Sequence, residues 1–216
     1  MRHQFNNSIF GIIILCIVIL ATSCTNDKNI IFKNDNIVTV NREITNKTEL
    51  NSGILSLNAQ SGDGIAILKN VEFENGIISI DFKGEDLAGK SFVGVAFNIE
   101  NDSTYEAVYF RPFNFESPKK INREHSIQYI YHPEFSWRKL RTEREGVFEA
   151  EFINPPNPND WFSIELTISP TTVTVTDKSS EKVLMKVERL SKPISKSIGL
   201  WAGHNSKGSY RNLKIN

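Results

Sequence analysis

Cysteine is almost absent from this chain: its 216 residues contain only Cys16 and Cys24. Cys16 falls inside an apolar N-terminal run, so a chain that loses this run can form no intramolecular disulfide and must be held by packing alone. An excess of charge is absent too. Lys plus Arg total 25 and so do Asp plus Glu, so no global field favours nucleic acid or an anionic lipid surface. No stretch of ten residues keeps a 3.6-residue apolar period, which leaves little room for long helices. No short-spaced His or Cys set marks a metal site, and no cofactor is expected, although carboxylates and backbone oxygens could still take a divalent ion.

Apolar length is scarce except at the start. Arg2 and His3 precede a run from Ile9 to Leu20 broken only by Gly11, and small residues Ala21, Thr22 and Ser23 lead into Cys24. A charged region, an apolar stretch and a small-residue cleavage zone read as an export signal over residues 1–23. The run of about 12 residues is short of the roughly 20 needed to span a hydrocarbon core. Leu20-Ala21-Thr22-Ser23-Cys24 resembles a bacterial lipobox, which implies lipidation of Cys24 and a chain anchored in the cell envelope, periplasmic or at the surface. Acyl chains contribute about 0.8 kcal/mol per buried CH₂, so several together hold a protein on a membrane. The mature chain would then carry 24 basic and 25 acidic side chains, a net of −1.

What the chain does have is aromatic residues, 14 Phe, 5 Tyr and 3 Trp, most of them after Val71. Residues 24–50, rich in Asn, Lys and Ile, read as a tether merging into a first strand near Asn36 to Ile44. Residues 51–216 read as one domain, large enough to bury roughly 70% of the surface of the unfolded chain. From Ile54 onward, runs of four to nine β-branched and aromatic residues close on Gly, Asn, Asp or Pro, the spacing of a β-sandwich. Expected strands are 54–59, 64–68, 77–82, 92–99, 105–111, 126–131, 147–152, 161–168, 172–177, 183–187, 196–202 and 208–215. Asn75-Gly76 and Asp63-Gly64 supply tight reversals. The three prolines of Asn154-Pro155-Pro156-Asn157-Pro158 rule out a central strand there.

Three passages carry a family resemblance: Tyr105-Glu106-Ala107-Val108-Tyr109-Phe110-Arg111-Pro112-Phe113-Asn114; Gln128-Tyr129-Ile130-Tyr131-His132-Pro133 with Trp137, Leu140 and Arg141; and Gly199-Leu200-Trp201-Ala202-Gly203 continuing through Ser206, Gly208, Asn212 and Leu213. Together they resemble a laminin-G-like, concanavalin-type domain over Leu55 to Ile215. More narrowly, they are similar to bacterial exported proteins of the 3-keto-disaccharide hydrolase domain family, loosely labelled family 16 glycoside hydrolases. The resemblance implies an all-β, two-sheet concanavalin A-like jelly-roll sandwich with a concave face for carbohydrate, and cleavage of glycosides already oxidised at C3. The Glu-x-Asp-x-(x)-Glu strand of true family 16 glucanases is missing. Glu100-Asn101-Asp102-Ser103-Thr104-Tyr105-Glu106 interrupts it with turn-forming residues and an extra position, which excludes that retaining chemistry.

Alternation along Tyr105 to Arg111 puts Glu106, Val108 and Phe110 on one face and Tyr105, Ala107, Tyr109 and Arg111 on the other. If Val108 and Phe110 face the core, Tyr109 and Arg111 are placed to stack on a sugar and donate to it. Gln128, Trp137, Arg141, His204 and Asn205 complete the expected binding set, a mixture of stacking surface and oriented donors and acceptors. His132, extended before Pro133, is the expected base, and Glu106 and Glu149 the candidate acids, with the reservation that alternation turns Glu106 inward. His125, between Glu124 and a loop, reads as exposed, and Trp201 as core. The competing function is a non-catalytic glycan-binding or surface-assembly module.

Overall fold

The computed structural model describes residues 27–216; the expected export signal and Cys24 lie outside the described residues. In chain order the strands are β1 (Lys28–Asn29), β2 (Ile37–Val40), β3 (Leu55–Leu57), β4 (Gly64–Glu72), β5 (Gly76–Lys83), β6 (Val93–Asn101), β7 (Thr104–Phe110), β8 (Ile127–His132), β9 (Glu149–Ala150), β10 (Phe162–Ile168), β11 (Thr172–Asp177), β12 (Lys182–Glu188), β13 (Ser197–Ala202) and β14 (Gly208–Ile215). Three short helices, α1 (Lys47–Leu50), α2 (Lys120–Arg123) and α3 (Trp137–Glu143), lie between them. None of the described helices is long and apolar enough to cross a membrane.

The strands form two antiparallel sheets. One runs β1-β14-β5-β10-β11-β12 with β3 also on β14, and the other runs β2-β4-β13-β6-β7-β8-β9. The joining of β13 to β4 and β6, and of β14 to β5, brings the chain's last strands between much earlier ones, so the protein is a jelly-roll sandwich. Period-2 sequence produces the first sheet directly. In β10 Phe162, Ile164, Leu166 and Ile168 are buried while Ser163, Glu165 and Thr167 are not, and β11 alternates in the same way. Between the sheets Phe82, Phe110 and Phe162 pack with centroids 5.2–5.5 Å apart, and Phe115 and Phe152 extend the cluster. Fully burying one such side chain contributes roughly 1.5–3 kcal/mol.

The second sheet behaves differently, and this is what positions the site. All but the last two residues of β6 and all but the first of β7 are buried. One face meets the sandwich core; the other is covered by loops and by α3, which makes it a floor rather than an open surface. Gly94 pairs with Tyr109, and a β-carbon there would lie 2.3 Å from the Val108 carbonyl oxygen, so only glycine admits this close approach beside Tyr109.

The segment expected to be a tether belongs to the domain wherever it is described. β1 pairs with β14 and β2 with β4, and Ile30, Phe32, Ile37 and Leu50 join the core. The expected first strand near Asn36 to Ile44 is β2; around it, short apolar groups such as Ile30-Ile31-Phe32 set among Asn and Lys hide the rest in the sequence. Arg42, 4% exposed, fixes the segment to the rest. Its terminal nitrogens donate to the carbonyls of Asn41, Gly62, Ala202 and Gly203 at 2.5–2.9 Å, tying together the loops that carry Asp63 and His204. Burial lowers its pKa from the ordinary value, against the opposing influence of Tyr210 and Asp63.

Candidate functional site

Phe110 packs into the sandwich against Phe82 and Phe162, so alternation turns Tyr105, Tyr109 and Arg111 to the outer, concave face. There two adjoining cavities of about 180 and 670 Å³ share Phe92, Tyr109, Trp137 and His204 as lining and form one groove. The Tyr109 and Trp201 rings meet at 4.7 Å, with Phe92 edge-on to Tyr109 at 6.1 Å. Trp201, expected in the core, is 3% exposed yet lines the smaller cavity.

The smaller cavity gathers Asp63, His132, Ser136, Trp137, Trp201 and His204. Antiparallel pairing sets His132 opposite Tyr105, and their rings stack at 5.4 Å. His132 Nδ1 lies 2.8 Å from the Ser103 carbonyl oxygen. A carbonyl can only accept, so Nδ1 carries the proton and the neutral ring keeps a free lone pair on Nε2. Trp201 Nε1 donates to the Tyr105 hydroxyl (3.1 Å), which donates to Asp63 Oδ2 (3.3 Å). Asp63 presents much of its surface to solvent, but desolvation of its carboxyl is the largest influence and raises its pKa above the usual carboxylate value. His132, Tyr105, Arg42 and the His204 backbone pull the other way. His204 Nδ1 accepts from the Gly62 N–H at 2.9 Å, and its Nε2 lies 2.8 Å from Asn205 Nδ2. Asn205 lines neither cavity and holds His204 instead.

The larger cavity has Arg111, His125 and Arg141 in its wall, with Phe92, Phe113, Asn114, Ser117, Asn122 and Trp137. Glu149 lies behind them, its side chain 2% exposed, paired with Arg111 (3.3 Å) and with Arg141 through Nε (2.9 Å) and Nη2. Arg111 also donates to the His125 carbonyl (2.6 Å), the Tyr109 hydroxyl (2.9 Å) and Gln128 Oε1 (3.1 Å). The Tyr109 phenol is pushed up to about 12, chiefly by burial. It therefore stays protonated at neutral pH and has an O–H to donate.

Several sequence expectations are corrected here. Glu106 does not reach the groove. It points into the sandwich, wholly buried, and accepts from Asn98 Nδ2 (2.9 Å), Ser191 Oγ (2.8 Å), Arg189 Nε (3.0 Å) and the Tyr129 hydroxyl. Glu149 holds two guanidinium groups and is not a free acid. Gln128 is buried with its amide spent on Arg111 and on the Phe148 and Tyr129 carbonyls, so it supports the floor without lining it. His125 is not an exposed loop residue. Its side chain is 16% exposed, with Nδ1 3.1 Å from Glu149 Oε2 but without hydrogen-bond geometry. His132, Tyr109, Arg111, Trp137, Arg141 and His204 all line the groove. Asp63, Phe92 and Phe113 were missed: Asp63-Gly64 reads only as a turn. Among the described residues no three His, Cys, Asp or Glu side chains converge as a metal-binding group.

Desolvation lowers the pKa of His125 below its ordinary value, outweighing the opposite influence of Glu149. A base whose folded pKa is depressed binds protons better when unfolded, so stability falls as pH drops through the unfolded value near 6.5, until the folded pKa is passed. Thermal unfolding from pH 7.5 to 5 should therefore show a decline that is shallower in a His125→Gln variant; parallel curves would contradict this placement of the ring.

No protein family matches the chain, and no curated protein matches its sequence. Solved structures do resemble its fold. A Bacillus subtilis protein of galectin-like fold superposes with a TM-score of 0.56 at 12% identity, covering 86% of this chain and 92% of its own. The exoplasmic/lumenal domain of VIP36, in its form bound to Ca²⁺ and Man3GlcNAc, gives a TM-score of 0.54 at 11% identity with 87% of each chain covered. At such identities the likeness is one of fold.

Proposed function

We propose that this protein is an envelope-anchored lipoprotein whose concave groove binds carbohydrate and cleaves 3-keto glycosides. The observation that carries the reading is the placement of His132 and Asp63 in one small cavity on an aromatic floor. Stacking rings beside oriented donors suit a sugar, and VIP36, of similar fold, has been crystallised with a mannose-containing glycan. The 3-keto substrate class comes from the sequence resemblance.

A C3 carbonyl acidifies the C2 proton. His132 Nε2 takes that proton, the C2–H electrons form the C1=C2 bond, the C1–O bond breaks, and the departing oxygen takes a proton from the Asp63 carboxyl. The partly exposed imidazolium exchanges its proton with solvent, and water then adds, its hydroxyl to C1 and its remaining proton to Asp63, while the imidazolium delivers the solvent-derived proton to C2. The raised pKa of Asp63 suits an acid and the fixed tautomer of His132 a base. Asp63 takes over the role that sequence reasoning had offered to Glu106 and Glu149.

The test is incubation of the mature protein with 3-keto disaccharides and their unoxidised parents, followed by mass spectrometry. Turnover of the keto compounds alone is expected; none with either set would overturn the enzymatic reading. Anchoring is tested separately. Growth with labelled palmitate should label the protein and leave it in the membrane fraction, a Cys24→Ala variant should lose both properties, and an unlabelled wild-type chain would contradict lipidation.

A further inference from the structure

We propose that the larger cavity takes a sugar residue bearing an anionic substituent, a carboxylate or a sulfate ester, with Arg141 as its counter-charge. This rests on the reading of the groove as a carbohydrate site. The cavity of about 670 Å³ has two arginines in its lining and no Asp or Glu. The one carboxylate touching them, Glu149, stands behind the wall, almost fully buried. One negative charge against two positive leaves the wall with a net of about +1 before His125 is counted, a surplus that a neutral sugar would leave without a partner.

The two guanidinium groups are not equivalent. Arg111 is 6% exposed in its side chain and both its terminal nitrogens are occupied by Glu149, Tyr109, Gln128 and the His125 carbonyl. Arg141 is 32% exposed. It meets Glu149 through Nε and Nη2, and its Nη1 makes no hydrogen bond among the described residues. Its plane is held from a second side by Trp137, whose ring centroid lies 5.0 Å from Cζ. A guanidinium fixed by a carboxylate along one edge and an indole against its face is pre-organised, so a bound oxyanion does not have to order it. Phe92 and Phe113, edge-on at 5.4 Å, supply an apolar wall for the ring that carries the anion.

The experiment is calorimetric titration of the mature protein with three disaccharides of one linkage: one ending in glucuronate, one in a sulfated glucose and one in plain glucose. One or both anionic ligands should bind about ten-fold or more tighter than the neutral one, the scale of one charge-assisted hydrogen bond, and the stronger of the two identifies the substituent. Raising salt should shrink that advantage, and Arg141→Gln should abolish it, with Arg141→Lys restoring part. Equal binding of all three ligands, a salt-independent preference or a preference that survives in Arg141→Gln overturns the inference. If Arg141→Gln does not fold, the salt titration of the wild type decides. Binding of the neutral disaccharide without an anionic preference defeats this inference alone, whereas silence from all three defeats the groove as a carbohydrate site as well.

Discussion

Glu106→Ala is expected to destabilise the protein by about 3–5 kcal/mol while the groove keeps its shape. The carboxylate is wholly buried, and its main partner Arg189 is 1% exposed in its side chain. Removing one member of a buried pair leaves the other charge uncompensated, which costs about 3–5 kcal/mol, more than the pair itself contributes. Asn98, Ser191 and Tyr129 would each lose an acceptor too, although Asn98 keeps the Lys192 carbonyl (3.0 Å) and Arg189 keeps Asn75 and the Ser169 carbonyl. Against a total stability of about 5–15 kcal/mol this is a large fraction, and for a chain of this size it lowers the melting temperature by on the order of 10 °C. Thermal and urea unfolding measure it. A variant of unchanged stability that had lost turnover would return Glu106 to the chemistry.

His132→Ala should show the opposite pattern. The ring is partly exposed, with one stacking contact and one hydrogen bond to lose, so stability should change by about 1 kcal/mol or less. Turnover of a 3-keto disaccharide should fall by about 10²–10⁴, the usual contribution of a positioned base, with the loss in kcat rather than KM. Asp63→Asn should also lower kcat, because the amide cannot supply a proton to the departing oxygen. Unchanged kcat in His132→Ala would remove the base from the scheme. The two variants thus separate the face of β7 that holds the sandwich together from the groove beyond its other face.

The sequence makes much of this legible wherever one face of a strand is wet. β10, β11 and β14 fall within a residue of expectation because alternation survives there; β13 does so as a continuous apolar run, buried after its first residue. The orientation of β7 follows from the same rule, and with it the places of Tyr109, Arg111 and Glu106. The failures are of another kind. The strand expected near Asn36 to Ile44 is there as β2, but the stretch around it reads as a tether because its apolar anchors gain meaning only against β4 and β14. The 147–152 run yields only the two-residue β9, with Phe148 and Phe152 turned into the core from either side of it. His125 follows the charged pair Arg123-Glu124, yet its ring turns inward to the Glu149 cluster. Asp63 reaches the groove only because the loop before β4 shares the smaller cavity with His132 at the end of β8, where the Tyr105 hydroxyl donates to it, a juxtaposition that no local pattern contains.

The most direct test of the central claim is the isotopic composition of the product formed in D₂O. Elimination followed by hydration puts a solvent proton on C2, so the 3-keto sugar released by the wild-type protein should carry deuterium at C2 beyond a buffer-only control, and His132→Ala should release almost none. Product that keeps its protium at C2, or equal deuterium release by the variant, would contradict the assignment of His132 as the base.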